Sequence, residues 1–336
     1  ALTGALLQVT SGRSTRVCLS EGHGEWSVDD PERSLALMAE ELRRDNLEMD
    51  SRSLREADPL EGCDAVYVIG PRKPFSDEEL TRLRDYVSGG GNLLVALDPI
   101  DPGDGRPGFL YTGLEKLAAE WGVLIDPSVV QELDAARLLV PRPVGPFGVL
   151  DYEDHVVVRQ LRLMKAPVVM ELARSVRAEK GSRAEELMHT SKQGFAETKL
   201  EQLLSDADPV ASVGDIEGPV SLAVAVSTLG DEEADMLSPG AAPRARKGGR
   251  VIVTGSSSWL GAYLGEQVYA NIDLLATTTG WLTERDALVS IPPKKFSALR
   301  VLITEEGLSG IFVRVLLLLP MACLVLGVGV WWTRRS

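Results

Sequence analysis

Along the first hundred residues, short runs of consecutive apolar positions alternate with stretches in which apolar residues recur every three or four. That is the pattern of strands and amphipathic helices taking turns in a largely parallel sheet. Arg16–Leu19 predicts a short strand running into the turn Gly22-His23-Gly24-Glu25. Asp30 and Pro31 then make an N-cap and first-turn pair for a helix carrying Leu35, Met38 and Leu42. A strand is expected over Leu47–Leu54, and the uninterrupted run Ala65–Ile69 reads as a central strand covered on both faces. Ser76 and Glu79 spell a capping box for a helix with Leu80, Leu83 and Val87, which Gly89, Gly90 and Gly91 stop before a strand at Leu93–Leu97.

Beyond Asp98-Pro99 the pattern loosens. Residues 100–108 hold too many glycines and prolines for a regular element. A helix over Leu114–Trp121 and strands at Val123–Ile125, Val156–Val158, Val168–Leu172, Val220–Val226 and Arg250–Val253 are expected. Residues 178–186 read as a solvated stretch and 232–249 as a mobile loop. A helix bearing Asn271, Asp273 and Leu274 runs to Trp281, and a strand-like run lies at Arg300–Thr304. The expected organisation is an α/β domain over 1–285, a juxtamembrane segment over 286–310, a transmembrane helix over 311–332 and a short tail over 333–336.

The transmembrane expectation rests on Ile311–Trp332, 22 residues in which Arg314 is the sole charge. As a helix it would extend roughly 33 Å, enough to span a hydrocarbon core. Trp331 and Trp332 fall where an aromatic belt belongs, and Arg334 and Arg335 follow, which by the positive-inside rule puts the C-terminus in the cytoplasm and the bulk outside. The start at Ala1 leads to the further expectation of an export signal or membrane helix upstream.

Composition narrows the function. The 336 residues carry 49 acidic against 35 basic side chains, a formal charge of -14, so a general nucleic-acid binder is excluded as the leading reading. Three cysteines and three histidines are too few for a disulfide framework or a zinc ribbon, and His155 and His189 stand alone. No P-loop is present, and Gly255-Ser256-Ser257-Ser258-Trp259 lacks the last glycine of a nucleophile elbow. No cofactor, metal or catalytic residue is expected.

In an open parallel sheet, ligands bind beyond the carboxyl ends of the strands. His23 and Glu25 follow the first predicted strand, Gly70 the third, Asp98 the fourth, and Ser256 and Ser257 the last. With Asn271 they are the candidate ligand-binding residues of one polar crevice. Each also has a bland reading: the glycines make tight turns, Glu25 faces a helix N-terminus, and Asp98 caps a proline turn.

These motifs carry a resemblance. Gly22-His23-Gly24-Glu25, then Gly70-Pro71 with Pro74 and Ser76 opening a helix, the glycines before Leu93 and the Asp98-Pro99 stop come in order. Thr190-Ser191, Asp215-Ile216-Glu217-Gly218-Pro219, Gly255-Ser256-Ser257, Asn271 with Asp273, Trp281-Leu282 and the terminal apolar run complete the set. Together they resemble the GldG-like auxiliary components of ABC transport systems, first associated with gliding motility. One departure is Lys192-Gln193-Gly194-Phe195, where that family more often has Pro and Trp.

The resemblance implies a periplasmic domain of class I glutamine amidotransferase-like or flavodoxin-like fold, held in a bacterial inner membrane, with Gly70-Pro71 in the turn where that enzyme's nucleophilic cysteine would be sought. It also implies a separate permease and ATPase as partners. The expected function is a non-catalytic binding subunit with an envelope protein or glycan as its other partner. The alternatives are an envelope glycan- or peptide-acting enzyme using His23, Glu25 and Asp98, and a purely structural spacer.

Overall fold

A computed structural model describes residues 15–100, 108–199, 203, 209–228, 248–284 and 319–335. The expected loop at 232–249, apart from its last two residues, lies outside the described residues, as do Arg300–Thr304, residues 286–310 and the first part of the expected membrane span. Two compact units are formed, residues 1–295 and 296–336.

In the first unit the elements follow in the order β1 (Thr15–Glu21), α1 (Ala36–Arg44), β2 (Leu47–Ser53), β3 (Ala65–Ile69), α2 (Asp77–Ser88), β4 (Asn92–Ala96), α3 (Leu114–Ala119), β5 (Val123–Ile125) and β6 (Val129–Gln131). Then come β7 (Phe147–Val149), β8 (Asp151–Tyr152), α4 (Arg159–Met164), β9 (Val168–Met170), β10 (Val176–Ala178), β11 (Glu185–His189) and β12 (Phe195–Glu197). The unit closes with β13 (Ile216–Glu217), β14 (Ser221–Ser227), β15 (Arg250–Thr254) and α5 (Asn271–Leu282).

One large mixed sheet organises them, in the order β2-β1-β3-β4-β15-β14-β11-β8. The first five strands are parallel. The last three are paired antiparallel, so the mostly parallel sheet expected from sequence is parallel only on one side. The parallel part has the 2-1-3-4-5 order of flavodoxin-like sheets, whose crevice opens where the winding reverses, between β1 and β3. Three small sheets, β10-β5, β13-β12-β6 and β7-β9, fill the region after residue 120.

Alternation along the strands divides the core. Val66 and Val68 of β3 and Leu93 and Val95 of β4 meet Leu80, Leu83 and Val87 of α2 in one apolar cluster. Tyr67 points to the other face, where its hydroxyl lies 2.7 Å from Thr279 Oγ1 of α5. Its neighbours on both sides are buried, as the unbroken apolar run required.

Several expectations are corrected. The helix after Asp30-Pro31 begins only at Ala36; the Asp30 carboxylate accepts the Glu32 and Arg33 N–H groups at 2.9 Å each and caps a turn instead. Val156–Val158 is a turn leading into α4, not a strand, because the Val158 and Arg159 N–H groups bond back to the His155 carbonyl. The solvated stretch 178–186 contains the end of β10 and the start of β11.

Cysteine count also misled: Cys18 of β1 and Cys63, just before β3, form a disulfide across 45 residues. The pair is one staple rather than a framework, and it ties together two neighbouring strands.

In the second unit, α6 (Leu319–Arg335) is 17 residues long and ends with the Arg335 guanidinium over the Trp331 ring at 4.8 Å. No helix among the described residues is long and apolar enough to cross a membrane.

Candidate functional site

Of the predicted residues, His23, Glu25, Gly70, Asp98, Ser256 and Ser257 follow the carboxyl ends of β1, β3, β4 and β15 while Asn271 opens α5, and together they divide into three clusters. The first follows β1. Gly22 and Gly24 adopt positive φ (116° and 75°), and the chain doubles back so that the Trp26 N–H reaches the Ile69 carbonyl at 2.9 Å, the end of β3. This fold-back turns Glu25 inward, where its carboxylate accepts the Ser20 hydroxyl at 3.0 Å and the His23 N–H at 2.6 Å.

The His23 imidazole is 1% exposed and stacks on Phe75 with centroids 4.0 Å apart. Its Nε2 lies 3.2 Å from Glu79 and its Nδ1 3.6 Å from Glu25, although neither nitrogen is aligned for a hydrogen bond. Glu79 is itself held by the Ser76 N–H and hydroxyl at 2.8 Å each and by Arg55 Nε at 3.1 Å. Burial pushes the Glu79 carboxyl up, but the Ser76 bonds, the neighbouring His23 and Arg55 outweigh it and hold it below its ordinary value. The cluster is thus a sealed electrostatic clasp between the β1 turn and the start of α2. Glu79 does double duty in it, as capping-box residue and as partner of His23.

The second cluster joins Gly70, Asp98 and Ser257. Gly70 follows β3 with φ 59° and donates its N–H to the Ala96 carbonyl at 2.8 Å; a side chain here would collide with the Trp26 indole. Ser257 donates both its N–H and its hydroxyl to the Asp98 carboxylate, each at 2.6 Å. Burial raises the Asp98 carboxyl above its ordinary range, opposed by the Ser257 bonds and by the charges of Arg72 and Arg33. Arg33 is anchored by Nη1 to the Gly24 carbonyl at 2.6 Å, and the Arg72 N–H donates to the His23 carbonyl at 2.7 Å.

The third cluster is structural. Ser256 Oγ donates to the Glu171 carbonyl at 2.7 Å. Asn271, fully buried, accepts the Val169 N–H at 2.9 Å and donates to the Val169 carbonyl at 2.9 Å and the Trp259 carbonyl at 3.1 Å. Its amide takes the place of a strand partner for β9 and fixes the start of α5.

Chemically, these arrangements bind protein to protein. The Ser257 hydroxyl donates straight to a carboxylate, and the only imidazole in this region, His23, faces Glu25, Glu79 and Phe75 instead. The expected set of His23, Glu25 and Asp98 is therefore split between two clusters. Among the described residues no group of three or more His, Cys, Asp or Glu is arranged to hold a metal ion. Glu79, Ser20, Arg33 and Arg72 were missed in the sequence; the capping-box spelling of Ser76 and Glu79 was visible but gave no hint of a histidine partner. Nor do the other histidines stand alone: His189 Nε2 lies 2.8 Å from Glu186, and His155 meets Trp281 edge-on at 5.4 Å.

Comparison with known proteins completes the picture. The fold is similar to the solved mmIFT52 N-terminal domain, with a TM-score of 0.56 at 16% identity over 80% of this chain and 97% of that one. PurLQS from Thermotoga maritima aligns with a TM-score of 0.40 at 9% identity, over 80% of this chain and all of that one. A thua-like protein from Parabacteroides merdae aligns at 0.41 and 13%, over 80% and 90%. No curated protein sequence matches. Residues 14–278, most of the chain, match the family described as ABC-type uncharacterized transport system, and the protein accordingly belongs to that family, as an auxiliary component of an ABC-type transport system.

Proposed function

We propose that the protein is a non-catalytic, GldG-like subunit of the ABC-type system, anchored in a bacterial inner membrane by residues 311–332. Its α/β domain, of class I glutamine amidotransferase-like build, stands in the periplasm and its C-terminus lies in the cytoplasm. It works with a separate permease and ATPase, to which it is coupled through the apolar helix and residues 286–310. Its outward partner is an envelope protein or glycan, in a system of the gliding-motility type.

The observation that carries the non-catalytic part is the mutual pairing of Ser257 with Asp98 and of Glu25 with Ser20 and the His23 backbone, which leaves the carboxyl edge committed to holding turns. Family membership supports the auxiliary role. The Cys18–Cys63 disulfide supports an oxidising compartment, since such bonds persist outside the cytoplasm. The anchor is supported by the 22-residue apolar run and its Trp-Trp-Thr-Arg-Arg end.

Protease treatment of spheroplasts tests the topology. Residues 1–285 are expected to be digested from outside while an epitope fused after Ser336 survives; protection of both ends until lysis contradicts the reading.

A further inference from the structure

The His23 imidazole keeps bonding capacity that its cluster has not used. Both ring nitrogens are buried and neither makes a hydrogen bond among the described residues, yet each lies against a carboxylate, Nδ1 at 3.6 Å from Glu25 Oε1 and Nε2 at 3.2 Å from Glu79 Oε2. The two carboxylates are themselves out of water, with 2% and 3% of their side chains exposed. Buried polar groups in such numbers require a matching arrangement of protons.

Counting protons shows which form of the ring supplies it. A neutral imidazole has one N–H and one lone pair, so in either tautomer one nitrogen turns a lone pair toward a carboxylate. The imidazolium has two N–H groups, one for each, and a small tilt of the ring makes both into charge-assisted bonds. No neighbouring cation replaces it at Glu25: Arg55 pairs with Glu79 at 3.1 Å, and Arg33 is turned to the Gly24 carbonyl at 2.6 Å and to Asp30 at 3.6 Å. The remaining neighbours are neutral, with Phe75 stacked on the ring, Ser20 on Glu25 and Ser76 on Glu79.

The ring also sits where its hold is felt. The His23 carbonyl accepts the Arg72 N–H at 2.7 Å and the Trp26 N–H reaches the Ile69 carbonyl at 2.9 Å, so residues 22–26 are tied to the chain leaving β3. The Trp26 indole packs against Gly70 and Gly261, beside the Ser257 hydroxyl, where a side chain on either glycine would collide with it. Fixing the turn therefore fixes the indole beside the Asp98–Ser257 pair.

We propose that His23 is a proton-operated latch: as imidazolium it bridges Glu25 and Glu79 and fixes the β1 turn to the start of α2, and as neutral imidazole it releases one carboxylate, so that the turn and its Trp26 indole open more often. The contribution of the imidazolium is complete below the ordinary imidazole value of about 6.5 and fades at higher pH. Glu79, held below its ordinary value, stays ionised across that range. The latch goes beyond the transporter reading and does not depend on it.

Hydrogen exchange of the full chain in detergent, read by mass spectrometry from about pH 5.5 to about pH 8.5, tests it. After correction for the intrinsic pH dependence of exchange, the Trp26 and Arg72 amides are expected to lose protection about tenfold across that range, the worth of one charge-assisted bond. In His23→Gln, which takes up no proton there, protection of the same amides should not respond to pH. Should His23→Gln fail to fold, Glu79→Gln decides: it should flatten the profile in the same way, because an amide can face either form of the ring. Wild-type protection that is constant or rises with pH, or a fall that persists in whichever variant folds, overturns the proposal.

Discussion

Two clusters at the carboxyl edge of the large sheet, one around Asp98 and one around His23, spend their polar groups differently. At the carboxyl edge, Asp98, Ser257, Glu25, Ser20 and Ser256 are consumed by one another and by backbone groups, and His23 is walled off by Phe75 and two glutamates. Asp98 and Ser257 satisfy each other, whereas both ring nitrogens of the buried His23 lie beside carboxylates without a hydrogen bond. A sheet position that often hosts ligands is thus no guarantee of a ligand: what counts is whether polar capacity remains after the fold has taken its share. Substitutions in these clusters and their supports should change stability, by amounts that follow the bonds each one removes.

The largest loss is expected from Cys63→Ser. Opening a loop of 45 residues between Cys18 and Cys63 restores chain entropy to the unfolded state, a loss of about 4 kcal/mol. The drop should appear in the urea midpoint and be matched by wild type in reductant; an unchanged midpoint would show that β1 and β3 hold together without the bond.

Next comes Asn271→Ala, which strands the Val169 N–H and two carbonyls in a dry site. A loss on the order of 3 kcal/mol follows. If Asn271 were instead a ligand contact, stability would hold and binding would fall.

Glu79→Gln breaks the clasp more gently, by about 1.5 kcal/mol at neutral pH. Because the Glu79 carboxyl sits below its ordinary value of 4.5, its contribution is present above that pH and fades as the pH falls below it. The wild-type and Glu79→Gln stability curves should therefore converge below about pH 4.5; a constant gap down to strong acid would mean that the charge is not what Ser76 and Arg55 hold.

The smallest effect is expected for Asp98→Asn. Burial raises this carboxyl above its ordinary value of 3.8, so the ionised form costs stability at higher pH. The amide keeps an acceptor for the Ser257 N–H, and the change should fall within about 0.5 kcal/mol of neutral. Loss of transport-linked function with intact folding would instead return Asp98 to the enzymatic reading.

The legible parts of this fold were those governed by local pattern. Ala65–Ile69 announced a covered strand, and Ser76 with Glu79 announced the start of α2 where it occurs. Positions of His23, Gly70, Asp98 and Ser257 at one edge followed from strand order alone. What failed depended on contacts distant in sequence. The His23–Glu79 approach, the Cys18–Cys63 bond and the Asn271–Val169 bridge span from tens to a hundred residues, and no spacing rule encodes them. The strand expected at Val220–Val226 is present as β14, but its antiparallel direction went unseen because short, covered strands look alike in either direction, and β11 and β8 beyond it were missed.

The central claim is that this chain acts by attachment to a transporter. Affinity purification of the full chain from detergent-solubilised native membranes tests it most directly. Recovery from the membrane fraction together with a permease and an ATPase, undiminished by Asp98→Asn, is the predicted result. Recovery from the aqueous fraction, or from membranes without either partner, would contradict it.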